Sequence, residues 1–402
     1  MAAKKAAISF HDDTILMRKK LHILYSLLIA CIFVFAIGFD SHDEAKSACS
    51  MKHLTLSSHQ IELLEIAFQA ASAMPINPHI KDRSRAQESI VKACFELKQP
   101  QRALGYIEQI DNWRRGAGYA DLALYYAQHE AMKEDLEPFL NKAAQVAEEA
   151  EDWRKDHIQV KVDQVNILLR HYQKARVRTD SFDKEMEALE KNMSSGQFDA
   201  VKNTLMAYSE LFNRFYTDSH RRALIEKKLK AAWGSMPIFV RIDLLIQLTG
   251  FALAHSDQTK ALKLVGEIES IIESVSLQPR FAIPIKTKLA ELRFHAGDRQ
   301  RARTEAQNAL SLFDEEREKI ANIYRAQMLR SLAEAYLTMG EAAMALDLYK
   351  RAIEAGIENP NSRPRAEDLA ATCCAMALHS VEPDAELLSR IRKILDKLGD
   401  PW

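Results

Sequence analysis

The chain has 402 residues, 47% of them hydrophobic and 28% charged. That balance excludes both a disordered polyelectrolyte and a wholly membrane-embedded bundle. Only 12 Gly and 11 Pro occur, about half of average usage, which leaves an almost entirely helical chain and argues against a turn-rich β protein. Net charge is −1, and Lys4, Lys5, Arg18, Lys19 and Lys20 against Asp12 and Asp13 give the first 39 residues +3, so the remainder sums to −4. A mildly acidic body lacks the electrostatic footprint of a general nucleic-acid binder.

Residues 1–20 read as a basic cytoplasmic N-terminus. Leu21 to Phe39, LHILYSLLIACIFVFAIGF, is an apolar run without a formal charge, and as a helix it would span about 28 Å, close to the hydrocarbon thickness of a bilayer. The basic flank predicts a single-pass signal anchor with the C-terminal body outside the cytoplasm, in the periplasm of a bacterium. Other fates stay open: cleavage after the small residues Ala36 and Gly38, a start at Met17, or lipidation at Cys31 within Leu28-Ile29-Ala30-Cys31. Residues 40–58 form a polar linker; its His42-Asp43-Glu44 reads as hydrated chain rather than a metal site.

Residues 59–175 carry helical hairpin patterns. SIVKACFELKQPQRALGYIEQI aligns Ile90, Val91, Cys94, Ala103, Ile107 and Ile110 on inner faces, and a further unit follows from Tyr119. DNWRR and EDWRK place Trp113 and Trp153 40 residues apart, as wedges between neighbouring units. Residues 176–235 depart from the pattern and read as an irregular helical connector. Within it, Val201, Leu205, Tyr208, Leu211, Phe212 and Phe215 make an apolar stripe, either core or a self-association face. The basic run from His220 to Trp233 reads as a solvated helix face with Leu224, Ile225 and Leu229 turned inward.

Residues 236–402 repeat the hairpin more clearly, with Ala261, Ala302 and Ala345 as matching marks 41 and 43 residues apart. In LAEAYLTMGEAAMALDLYKRA, Leu329, Leu332, Ala333 and Tyr336 form one apolar face, Gly340 ends the helix, and Ala345, Leu348, Tyr349 and Ala352 mark the next. The last copy, Ala371 to Leu388, is distorted near Pro383 and reads as a cap. This large-large-small-aromatic helix followed by a small-aromatic-small helix resembles the tetratricopeptide repeat. The resemblance covers most of residues 60 to 390, at a longer period than the family's.

It implies an all-α, right-handed α-solenoid of TPR-like hairpins behind one N-terminal transmembrane or signal helix. It further implies a concave groove lined by first helices that holds a protein or peptide segment. By that analogy the groove-facing candidates are Thr287, Glu291, Phe294, His295, Gln327, Arg330 and Glu334. The Lys/Asn set with which family members clamp a terminal carboxylate is not recognisable at these positions.

Chemistry is otherwise scarce. No P-loop, GxGxxG, HExxH or GxSxG motif occurs, and Cys94, Cys373 and Cys374 lie in helical patterns as small buried hydrophobes. The expectation is therefore a non-catalytic, membrane-tethered scaffold without metal or cofactor, with envelope protein assembly or quality control as a fitting role. Self-association as a homo-oligomer, or an enzyme of unrecognised type, are the competing readings.

Overall fold

The computed structural model describes residues 55–129, 133–151, 153–174, 182–193, 198–233 and 236–402. The apolar run 21–39 and its alternative fates lie outside these residues. Every regular element described is helical, as composition predicts. No described helix is long and apolar enough to cross a membrane.

The first six helices are α1 (Ser58–Ala73), α2 (Ile76–Glu96), α3 (Pro100–Ile107), α4 (Arg114–Gln128), α5 (Lys133–Glu149) and α6 (Trp153–Lys174). Next come α7 (Phe182–Met193), α8 (Phe198–Arg214), α9 (Ser219–Trp233), α10 (Ile238–Ala254) and α11 (Gln258–Glu273). The last six are α12 (Pro279–His295), α13 (Arg299–Glu316), α14 (Asn322–Thr338), α15 (Ala342–Ile357), α16 (Ser362–Leu378) and α17 (Ala385–Leu395).

Local chemistry sets their limits. Ser57 and Gln60 form a reciprocal capping box at α1, Pro100 opens α3, and Asp257 and Asp384 accept backbone bonds at the starts of α11 and α17. Five helices end in one shared device. Lys98, Ser256, Gly297, Gly340 and Ser380 take left-handed φ of 58°, 57°, 91°, 80° and 54° after α2, α10, α12, α14 and α16. After four of them the next amide reaches back to close the helix: Gln99 to Cys94, Asp257 to Ala252, Glu341 to Tyr336 and Val381 to Met376. This is a Schellman closure, which satisfies carbonyls that the helix itself leaves bare. The last four turn residues stand 41, 43 and 40 apart, so the repeat period is written in the backbone.

Packing divides the chain into two compact units that do not follow chain order. Helices α7–α11, with residues 295–298, make one. In it α8 packs against α7, α9 and α10, and α10 against α11. Tyr208 and Phe212 are almost completely buried, and Phe215 meets Phe182 edge to face. The stripe from Val201 is therefore core, with Phe215 partly exposed at its end. Ile225 and Leu229 of the basic run are also buried, while Lys228, Lys230 and Arg222 pair with Glu190, Glu267 and Asp257.

The other unit joins α1–α6 to α12–α17. Along most of it, each outer helix packs between two inner ones: α15 between α14 and α16, α3 between α2 and α4, α5 between α4 and α6. Between α16 and α2, that outer place is taken by α1, from the far end of the sequence. The inner row therefore runs α14, α16, α2, α4, α6, with α12 beyond α14, and α17 rests on α1, α15 and α16. The join is well made. Leu63, Leu64, Ala67 and Ala71 of α1 are fully buried, and buried Gln60 donates to the Ala377 carbonyl at 2.8 Å and to Ser380 Oγ at 3.0 Å. Arg85–Glu367 and Arg363–Asp82 pairs stitch α2 to α16.

Candidate functional site

The inner wall of the larger unit carries its charged chemistry, in two groups. On α2, α4 and α6, Glu88 is buried and receives Arg114 and, at 3.2 Å, Lys92. Burial alone would raise its pKa, but Lys92, Arg114 and Lys161 outweigh it and hold it at about 2. Lys161 also pairs with Asp121. Burial, and then Lys161, lowers the pKa of His157 from its ordinary value. Trp113 stacks edge-on with Trp153 at 5.2 Å, and Trp153 is 59% exposed, so only the first tryptophan is wedged into packing.

The second group lies on α12, α14, α16 and α2. Lys288 bonds Glu291 at 2.7 Å. Arg330 donates to Asp368 Oδ1 at 3.1 Å and Thr372 Oγ1 at 3.2 Å. Glu334, one turn beyond Arg330, is in no ion pair among the described residues. Its pKa is pushed up to about 7 by burial and then by Glu291, against the opposing pull of Arg330 and Lys288, with Glu96 adding to the rise. Burial opposes the charge of Lys288, but Glu291 and Glu334 more than restore it. Burial raises Asp368, with Arg330 acting against it, and burial raises Glu96.

Glu334 keeps some solvent access while protein surrounds it. It feels Glu96 on α2 although α16 stands between their helices.

The seven candidates from the sequence do not share one environment. Glu291, Arg330 and Glu334 converge in this group, and Gln327 is partly exposed one turn before Arg330 on the same helix. Thr287 is instead core: it is 1% exposed, and its hydroxyl donates to the Ile283 carbonyl. Phe294 packs against the core with the Arg299 guanidinium 5.4 Å from its ring centre, and His295 is exposed at the end of α12. Sequence reasoning missed Lys288, Asp368, Thr372 and Glu96. Aligning the helices on their left-handed turns does not recover these four: the position six residues before the turn gives Lys92, Glu291, Glu334 and Cys374.

Among the described residues no three His, Cys, Asp or Glu are arranged to hold a metal ion. The Cys94 and Cys373 thiols are pushed up to about 12 by burial, which removes the thiolate a nucleophile needs. The wall is equipped to hold charged groups by ion pairing and hydrogen bonding.

No protein-family model matches the chain, and no curated protein matches it. Among solved structures, one similar chain is described as a circular tandem repeat protein with novel repeat topology and enhanced subunit contact surfaces. It is 12% identical with a TM-score of 0.27, over 84% of this chain and 95% of that one. A likeness of that size carries no implication for function.

Proposed function

We propose that this chain is a non-catalytic, membrane-tethered scaffold of TPR-like hairpins, wound as a right-handed solenoid, whose concave wall binds segments of partner proteins. The observation that carries this reading is the convergence of Glu291, Arg330 and Glu334 with Lys288 and Glu96, from three inner helices, on one partly solvated wall. Rigid rows of helices present such walls at fixed spacing, which suits an extended or helical peptide. Tethering through residues 21–39 would hold the wall near membrane complexes, where a raised effective concentration lets weak contacts suffice. Assembly or quality control of envelope proteins is the process this arrangement fits.

Photo-crosslinking of the full chain in its native membranes tests the reading. A photoreactive residue at Gln327 should yield discrete protein adducts, and the same residue at Glu386 on α17 should not. Equal labelling from both positions, or none from Gln327, would overturn it. Adducts whose mass equals a second copy would point to self-association instead.

A further inference from the structure

Among the described residues the two most exposed large apolar side chains are Trp153, at 59%, and Val160, at 56%. Both lie on α6, seven residues apart, which is two helical turns and sets them on one face. Between them on that face, at steps of three and four, come Asp156 and His157, and both are exposed. The Asp156 side chain has no ion pair or hydrogen bond among the described residues. The rest of the row shows what such a face does. Trp113 stands 40 residues earlier, at the matching start of α4. There α6 covers it: Trp153 and His157 each meet its ring edge to face, with centres 5.2 Å apart. Each inner helix packs on the next in this way, and α6 is the last inner helix of the row. Its outer face is a hairpin-stacking surface with no following hairpin, where an array requires either a polar cap or a neighbour. An indole and a valine in water are not a polar cap.

The face is also its own complement. A half-turn about the point midway between Asp156 and His157 exchanges Trp153 with Val160 and Asp156 with His157. Laid antiparallel on a second copy, the helix sets an indole on a valine at each end. Between them an imidazole N–H faces a carboxylate twice, and donates to it. An unrelated partner would have to bring a matching pattern, whereas a second copy already carries it. We propose that this face of α6 is a two-fold self-association surface, and that its occupant is the same face of another copy of this chain. One helix face falls at the small end of interface sizes, which sets a weak dimer that copies confined to one membrane can still form. Gln327 lies on α14, with α16, α2 and α4 between it and α6 along the row. Self-association through α6 is therefore independent of the partner-binding wall.

Sedimentation equilibrium of the full chain in a density-matched neutral detergent, from about 1 to about 200 μM, is the test. The chain should follow a monomer–dimer equilibrium, and Trp153→Ala or Val160→Asp should weaken it at least about tenfold. Asp156→Lys, which sets lysine against imidazole, and His157→Asp, which sets carboxylate against carboxylate, should each weaken it as well. Mixing those two variants, or combining both substitutions in one chain, should restore the dimer, because every carboxylate again faces a lysine or an imidazole. Thermal midpoints equal to the parent's show that the fold is kept, and Val160 is exposed enough that its replacement leaves the core alone. A chain that stays monomeric at about 200 μM overturns the proposal. So does a dimer that Val160→Asp leaves untouched, as one held by residues 21–39 would be, or a mixed sample that does not recover. Crosslinking from Gln327 reports on the scaffold reading separately, whichever way these results fall.

Discussion

Two glutamates on the same wall show how environment sets the meaning of one side chain. Glu334 has its pKa raised to about 7, so the stability linked to it is present in acid, below the ordinary carboxylate range, and is lost as pH rises through 7. Glu334→Gln should therefore raise the unfolding free energy at pH 8 by on the order of 1–3 kcal/mol, seen as a higher thermal midpoint, and change little at pH 4. Glu88, held at about 2, carries the opposite sign: its stability is present at neutral pH and lost only as pH falls through the normal carboxylate range toward 2. Glu88→Gln should cost ~2–3 kcal/mol at pH 7, leaving Arg114 and Lys92 facing a neutral amide. Thermal melts at the two pH values check both signs. The sequence marked Glu334 as groove-facing and passed over Glu88, and it gave the charge state of neither, because that is set by the groups that helices distant in the chain bring alongside. The turn residues were easier to read. Gly340 was legible as a helix end, and its φ of 80° explains why; Gly340→Ala should lower stability by about 1 kcal/mol in the same melts.

At the level of elements, helix content and pairing were largely legible, because each hairpin records its own packing in nearby residues. Ala261, Ala302 and Ala345 are all fully buried, as their spacing implied. The place of α1 was not legible. Its capping box and its buried Leu63, Leu64 and Ala67 specify a good amphipathic helix, but an apolar face does not name the helix it will cover. That choice is made between α1 and α16, close to three hundred residues apart, and no short-range pattern encodes it. Gln60→Ala should remove two donated bonds at this join, together with the bond Gln60 accepts from the Ser57 amide, and cost ~1–2 kcal/mol in denaturant unfolding. The α4 helix shows the same economy of space. A Cβ on Gly118 would sit 2.9 Å from Ile107 and one on Gly116 2.8 Å from Val146, so Gly118→Ala should destabilise by about 1–3 kcal/mol through overpacking.

For the molecule as a whole, the α16–α1 join changes what the larger unit requires in order to persist. An open row of hairpins frays from either end, each unit leaning only on its neighbours. Here an early helix and a late one cover one another in the middle of the row, so ending the chain at residue 360 should raise amide exchange in α1 and α2 as well as near the cut. Mass spectrometry of deuterium uptake would show it, and unchanged protection of α1 would contradict the shared dependence. The same join has a bearing on how the protein is made. When α1 leaves the ribosome, the helix that will shield its outer leucines has not been translated, and at about 5–20 residues per second it will not exist for roughly a quarter of a minute to a minute. During that interval a strip of oily surface near the start of the nascent chain is bare. Until the last hairpin arrives, the packing of α1 on α2 is the cover that the chain itself can provide.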